Sequence, residues 1–290
     1  MKFGPLLLMA AFVAAGCARQ DPAREDHAPV ASVGAGPAGS AAVTSGQGAI
    51  NLPEEVTRVY RPATYAAARA AAAVPGASLD VSMVESYAHG VCRLAFKRPS
   101  APTARVAVSY DEVERFKRRF CADFDGQAPQ NLFEIIAAAA ERGDEDAALI
   151  DAMFATDAES DPREIERLRT LAEVRAQATG SPLVFRLLHE ELLREEFRQE
   201  DRAIWLETGL SEEEAARARG YGVTIAVCDR YRICPPGSLM VLAHCHPTDC
   251  APGLDMHAYV RSQLKPAAYD EAVRYAAVLG HELREKRQSR

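Results

Sequence analysis

Beyond its opening residues the chain has no apolar run of membrane-spanning length, no C-x-x-C pair, no G-x-S-x-G elbow and no H-E-x-x-H helix. Each absence excludes something. A spanning helix needs about 20 consecutive apolar residues, so the body is not expected to cross a bilayer. Thiol-exchange centres are built on C-x-x-C, α/β serine hydrolases on the elbow, and zinc proteases on two histidines one turn apart. His189-Glu190-Glu191 and His281-Glu282-Leu283 begin like the last of these. Neither has the second histidine, and both read as polar faces of amphipathic helices. Basic clusters are scarce too: 34 Lys and Arg stand against 41 Asp and Glu, a net charge of −7. Phosphate contacts need clustered cations, so nucleic acid is not an expected partner. The short run Phe116 to Arg119 reads as a solvated helix face. Acidic runs such as Glu190-Glu191 and Glu212 to Glu214 have arginines at i+3 or i+4, which is surface pairing. No catalytic residue, metal ligand or cofactor is assigned.

What is present begins with MKFGPLLLMAAFVAAGC: one lysine, an apolar stretch from Pro5 to about Ala15, then small residues up to Cys17. The stretch is too short to span and has the length of a signal-peptide core. Ala14-Ala15-Gly16-Cys17 resembles the lipobox of bacterial lipoproteins, with Ala14 in place of the usual leucine. The resemblance implies that residues 1–16 are removed and that Cys17 carries a diacylglycerol on its thiol and a third acyl chain on its amine. Two or more chains give stable anchoring, since each buried CH₂ contributes about 0.8 kcal/mol. Ala18, where an aspartate would imply the inner membrane, implies the outer membrane instead. No twin arginine precedes the stretch, so export is expected to be unfolded, through the general pathway.

From Ala18 to about Gln47 the residues are Ala, Gly, Pro, Ser and Val with few large apolar ones, too little buried surface to offset the entropy of ordering. Residues 17–50 therefore read as the lipidated cysteine and a tether, and residues 51–290 as the folded domain. Within the tether, Gly34, Gly36 and Gly39, with Glu54 beyond them, match the spacing of a dinucleotide fingerprint. That motif needs a buried strand before it and a helix after it. Asp26 to Ala31 supplies no strand, so no nucleotide is expected.

The domain is rich in alanine, with prolines at segment edges and recurrent capping signals. Ser109 to Glu112 and Ser211 to Glu214 fit the capping box, and Asp161-Pro162 places proline at the first helical position. Leu132, Ile135, Ile136 and Ala139, and again Leu183, Leu187, Leu188 and Leu192, recur at helical spacing. Only Arg105 to Val108 reads as a strand, too isolated to make a sheet. The expected fold class is all-α.

Glycines Gly143, Gly180 and Gly220 each follow a small-residue segment and precede a new apolar one, at intervals of about 40 residues. Each is expected to turn the chain, giving stacked antiparallel helical hairpins, an α-solenoid-like body. AAERGDEDAALIDAMF resembles the junction of Sel1-like repeats, relatives of the tetratricopeptide repeat; Asp151 and Phe154 replace the family's glycine and tyrosine.

With Cys17 taken by lipid, six cysteines remain, an even number expected to oxidise outside the cytoplasm. Fifteen connectivities are possible. Cys92 and Cys121, late in two expected helices, are expected to pair. Pro235-Pro236-Gly237 must be a turn; a helical ruler then sets Cys228 opposite Cys245, leaving Cys234 for Cys250. The nested alternative joins Cys234 to Cys245 and Cys228 to Cys250. Zinc binding through His244, His246 and the cysteines lacks the spacing of structural sites. The expected function is a membrane-anchored module binding another envelope protein, with an envelope hydrolase acting on cell-wall material as the alternative.

Overall fold

Helix after helix begins where a short polar side chain can accept the first free backbone N–H groups. In the computed structural model, Thr64, Asn131, Asp144, Asp161, Ser181, Ser211 and Asp255 all cap in this way, each contributing about 1 kcal/mol. The structure describes residues 58–93, 104–197, 209–244 and 255–288, all within the unit Gly48–Arg290. Eleven α-helices and no strand occur among the described residues. They are α1 (Tyr65–Ala72), α2 (Leu79–Arg93), α3 (Ala104–Phe120), α4 (Leu132–Glu141), α5 (Glu145–Ala155), α6 (Pro162–Ala178), α7 (Pro182–Glu191), α8 (Glu212–Tyr231), α9 (Leu239–His244), α10 (Met256–Gln263) and α11 (Pro266–Gln288). A single 3-10 turn, Glu195–Phe197, follows α7.

Neighbours in sequence pack as hairpins, α1 on α2, α4 on α5 and α6 on α7, in a solenoid-like arrangement. Gly143, at φ 89°, makes the tight reversal between α4 and α5, a left-handed conformation that costs glycine little. Two apolar cores result. Ile136, Ile150, Met153, Leu168, Leu183 and Leu188 build one among α4 to α7. Tyr65, Val91, Phe120, Ile225, Tyr231, Val260 and Tyr275 build the other among α1 to α3 and α8 to α11. Helices α2 and α7 belong to both: Leu79 joins the first core and Val84 the second, while Leu187 and Phe185 divide likewise.

α8 is the central element of the second core. Every residue from Gly222 to Cys228 is buried, so the helix has no solvent face there. Its main partner is α11, distant in sequence, rather than an adjacent helix. The two approach closely at Gly222, where a side-chain carbon would come within 2.8 Å of the Ala272 carbonyl and 3.0 Å of the Tyr275 ring.

Four expectations are corrected. Arg105 to Val108 lies in α3, because a lone strand has no ladder to join. Ser109 lies inside α3 rather than at a helix start. Gly220 lies in the interior of α8 and makes no turn. The capping box of Ser211 and Glu214 starts that helix, burial holds both flanks of the glycine, and a helical glycine costs only about 1 kcal/mol. The fourth concerns the cysteines. Cys92 and Cys121 are bonded, linking α2 to the end of α3. Cys228, however, is bonded to Cys234 and not to Cys245, which overturns the Cys228–Cys245 and Cys234–Cys250 pairing and the nested alternative alike. The helical ruler ran α8 on to the prolines. Instead α8 stops at Tyr231, Arg232 adopts the left-handed conformation (φ 56°), and the chain folds back to set Cys234 with a Cα 5.2 Å from that of Cys228. Pro235 to Gly237 does form the following turn, with Gly237 at φ 72°.

Candidate functional site

α7 starts from the cap of Ser181 and Pro182 at its first position, and its leucines face the first core. Arg186 and Glu190, one turn apart, therefore share another face, and Arg186 Nε donates to Glu190 Oε1 at 2.6 Å. Arg186 Nη1 donates to the hydroxyl of Tyr87 on α2 at 2.5 Å. The Tyr87 ring lies 5.7 Å from the ring of His244, the last residue of α9. Three helices thus bring a guanidinium, a carboxylate, a phenol and an imidazole to one junction, all half-buried.

The electrostatics follow from crowding. Burial, with the Arg186 charge adding to it, lowers His244 to about 4 against the opposing hydrogen bond from Met240. The ring is neutral at pH 7. His244 Nδ1 lies 2.8 Å from the Met240 carbonyl; a carbonyl only accepts, so Nδ1 carries the proton and Nε2 is an acceptor. Burial raises the Tyr87 hydroxyl pKa, with Arg186 opposing. Burial alone would lower Arg186, but Glu190 and Tyr87 outweigh it and hold the guanidinium charged.

Along the same seam Asp80, 7% exposed, accepts from the Tyr60 hydroxyl at 2.6 Å and from the Leu183 amide at 3.0 Å. Its carboxylate meets the N-terminus of α7, where helix dipoles favour negative charge. Burial nonetheless raises its pKa, the hydrogen bonds from Tyr60 and Leu183 opposing.

A second polar chain lies on α8, α10 and α11. His257 Nε2 is 3.1 Å from Asp229 Oδ1, and the Tyr269 hydroxyl is 3.4 Å from His257 Nδ1. Arg261 covers the Tyr269 ring at 4.7 Å. Asp229 raises the pKa of His257 against the effect of burial. Elsewhere the surface is shallow: a cavity of about 370 Å³ is lined by Asp111, Glu114, Arg115 and Arg118, all from α3. Large apolar side chains also face solvent. Leu171 is 41% and Val174 52% exposed on α6, and Phe133 is 42% exposed, its ring 5.0 Å from that of Phe154.

Of the residues singled out in the sequence, Cys17, Cys245, Cys250 and His246, the tether glycines Gly34, Gly36 and Gly39, and the side chain of His281 lie outside the described residues. His189 and Glu191 are not on a polar face. They are 6% and 2% exposed, and Glu191 meets Arg194 at 2.7 Å. Arg194 also donates to the carbonyls of Met153 and Thr156, closing the end of α5. The Glu190 pairing at helical spacing is present. Sequence reasoning missed Tyr87 and the role of Arg186; the available signal was Arg186 and Glu190 at i, i+4 beside the leucine stripe. Among the described residues no three His, Cys, Asp or Glu side chains group as metal ligands. No protein-family description, no curated protein and no solved structure matches the chain.

Proposed function

We propose that the chain is a lipid-anchored helical module of the cell envelope that binds another protein. The anchor rests on the lipobox resemblance around Cys17 and on the tether composition that follows it. The binding role rests on one observation above all: α6 buries Leu168, Ala172 and Ala176 while Leu171 and Val174, one turn apart, point outward. Outward apolar side chains on the face of a hairpin suit a partner surface. Phe133 and Phe154 add a partly open aromatic pair on α4 and α5.

Two experiments test it. Palmitate labelling of cells producing the chain is expected to mark it, and Cys17→Ser to abolish both the label and its recovery with outer membranes. A photo-reactive residue at Val174 is expected to cross-link one discrete protein in intact envelopes, whereas one at Arg163 on the same helix does not. Leu171→Glu with Val174→Glu should remove that product and leave the helical circular dichroism unchanged. No discrete product at Val174, together with measurable turnover of cell-wall material by the purified chain, would replace this reading with the hydrolase.

A further inference from the structure

The junction of α2, α7 and α9 holds more hydrogen-bonding capacity than its own residues use. Arg186 commits Nε to Glu190 and Nη1 to Tyr87, and Nη2 has no protein partner. The Tyr87 oxygen accepts from Arg186, which leaves its own proton to give. His244 has spent Nδ1 on Met240, so Nε2 keeps its lone pair. Glu190 engages one carboxylate oxygen, Oε1, and the other has no protein partner. Two donors and two acceptors thus stand together on four half-buried side chains.

The balance of charge selects among ligands. Arg186 and Glu190 neutralise each other at 2.6 Å and His244 is neutral, so the cluster has no net charge. An incoming phosphate or carboxylate would face the Glu190 carboxylate, and an ammonium would face Arg186. A group that both accepts and donates, without charge, matches all four valences: its oxygen takes the protons of Arg186 Nη2 and Tyr87, and its N–H meets His244 Nε2 or Glu190. Carboxamides have that pattern in one plane.

We infer that Tyr87, Arg186, Glu190 and His244 form a recognition site for an uncharged carboxamide, the side chain of a glutamine or asparagine presented by the partner protein. The inference rests on the partner being a protein, as proposed above, and adds a polar anchor separate from the α6 apolar face. Missing contacts at such a site are costly, because a buried donor or acceptor left unpaired loses about 1–3 kcal/mol, and discrimination between amide and carboxylate follows from that.

The test uses the full processed chain, isotopically labelled, with the histidine ring nitrogens observed by nuclear magnetic resonance. N-acetylglutamine amide is expected to shift the His244 Nε2 signal saturably, at about millimolar concentration, while sodium acetate and inorganic phosphate at the same concentrations do not. Tyr87→Phe should weaken the response about tenfold with unchanged circular dichroism. No saturable shift with the amide overturns the inference, as does an equal response to acetate or phosphate. A stronger response to N-acetylglucosamine assigns the site to a glycan and overturns it too. The Leu171→Glu, Val174→Glu variant should titrate like the parent chain. Loss of the Val174 cross-link with the amide response intact therefore removes the protein-partner reading alone, and the converse removes the amide site alone.

Discussion

Asp80 shows how one side chain can hold two cores in register. It sits in the first turn of α2 and accepts from Tyr60 on one side and from the start of α7 on the other. Replacement by alanine leaves the Tyr60 hydroxyl and the Leu183 amide without an acceptor, each costing about 1–3 kcal/mol. Asp80→Ala is therefore expected to lose about 3 kcal/mol in chemical unfolding and Asp80→Asn, which keeps an acceptor, about 1 kcal/mol. His244 makes a pH prediction. Its folded pKa, about 4, lies below the ordinary 6.5, so the unfolded chain binds more protons between those values. Its stabilisation is complete above about pH 6.5 and is lost as pH falls toward 4, with a ceiling of roughly 3 kcal/mol. His257, raised by Asp229, has the opposite sign: its contribution is present below 6.5 and fades as pH rises through the folded value. The raised pKa of Asp80 also favours the folded state on acidification. Both groups remain in His244→Gln, so comparison with that variant isolates the imidazole. The gap in Tm between parent and variant should narrow steadily from pH 7 to pH 4.

The helix α8 contains two glycines two residues apart with opposite consequences. At Gly220 an added methyl group would meet nothing within 4 Å, and at Gly222 it would strike the backbone of α11. Gly220→Ala gains helix propensity and should raise stability by about 0.5–1 kcal/mol. Gly222→Ala must push α11 away and should lower it by about 1–3 kcal/mol. Thermal melts of the two variants should therefore move in opposite directions. At the other end of the helix, Arg232 takes the left-handed turn usually left to glycine, and the Cys228–Cys234 bond closes over it. Among the interhelix contacts, Arg230 donates to the carbonyls of Ala176, Gln177 and Thr179, and the Tyr231 hydroxyl to Thr179. The last turn of α8 thereby closes the free end of α6, a task usually left to local residues.

On the scale of the whole molecule, helical hairpins bring sequence neighbours together and a few long-range links tie the hairpins to one another. Buried ion pairs supply some: Glu271, 3% exposed, binds Arg219 across α8 and α11 at 3.2 Å. The disulfides act at different ranges. Cys92–Cys121 spans 29 residues and joins two helices, while Cys228–Cys234 spans 6. Chain-entropy arguments give about 3.5 kcal/mol for the first and about 2.5 kcal/mol for the second. Double serine variants should fall in that order in urea unfolding. Peptide mapping without reduction should recover Cys92 linked to Cys121 and Cys228 linked to Cys234.

The sequence by itself determined the all-helical class, the caps at Asp161 and Ser211, the leucine face of α7 and the turn at Pro235 to Gly237, because these follow from spacing and side-chain chemistry within a few residues. It also placed Cys92 within reach of Cys121, since a loop between two helices returns their ends to each other. Only the tertiary structure decided what Gly220 does, because an isolated glycine reads alike in a turn and in a helix whose flanks are buried. It decided the partner of Cys228 as well: the end of α8 depends on a left-handed arginine that no local propensity announces. The junction of Tyr87, Arg186 and His244 was likewise invisible, since three helices separated by about 60 to 100 residues meet there, and packing between distant faces rather than local pattern sets which side chains touch.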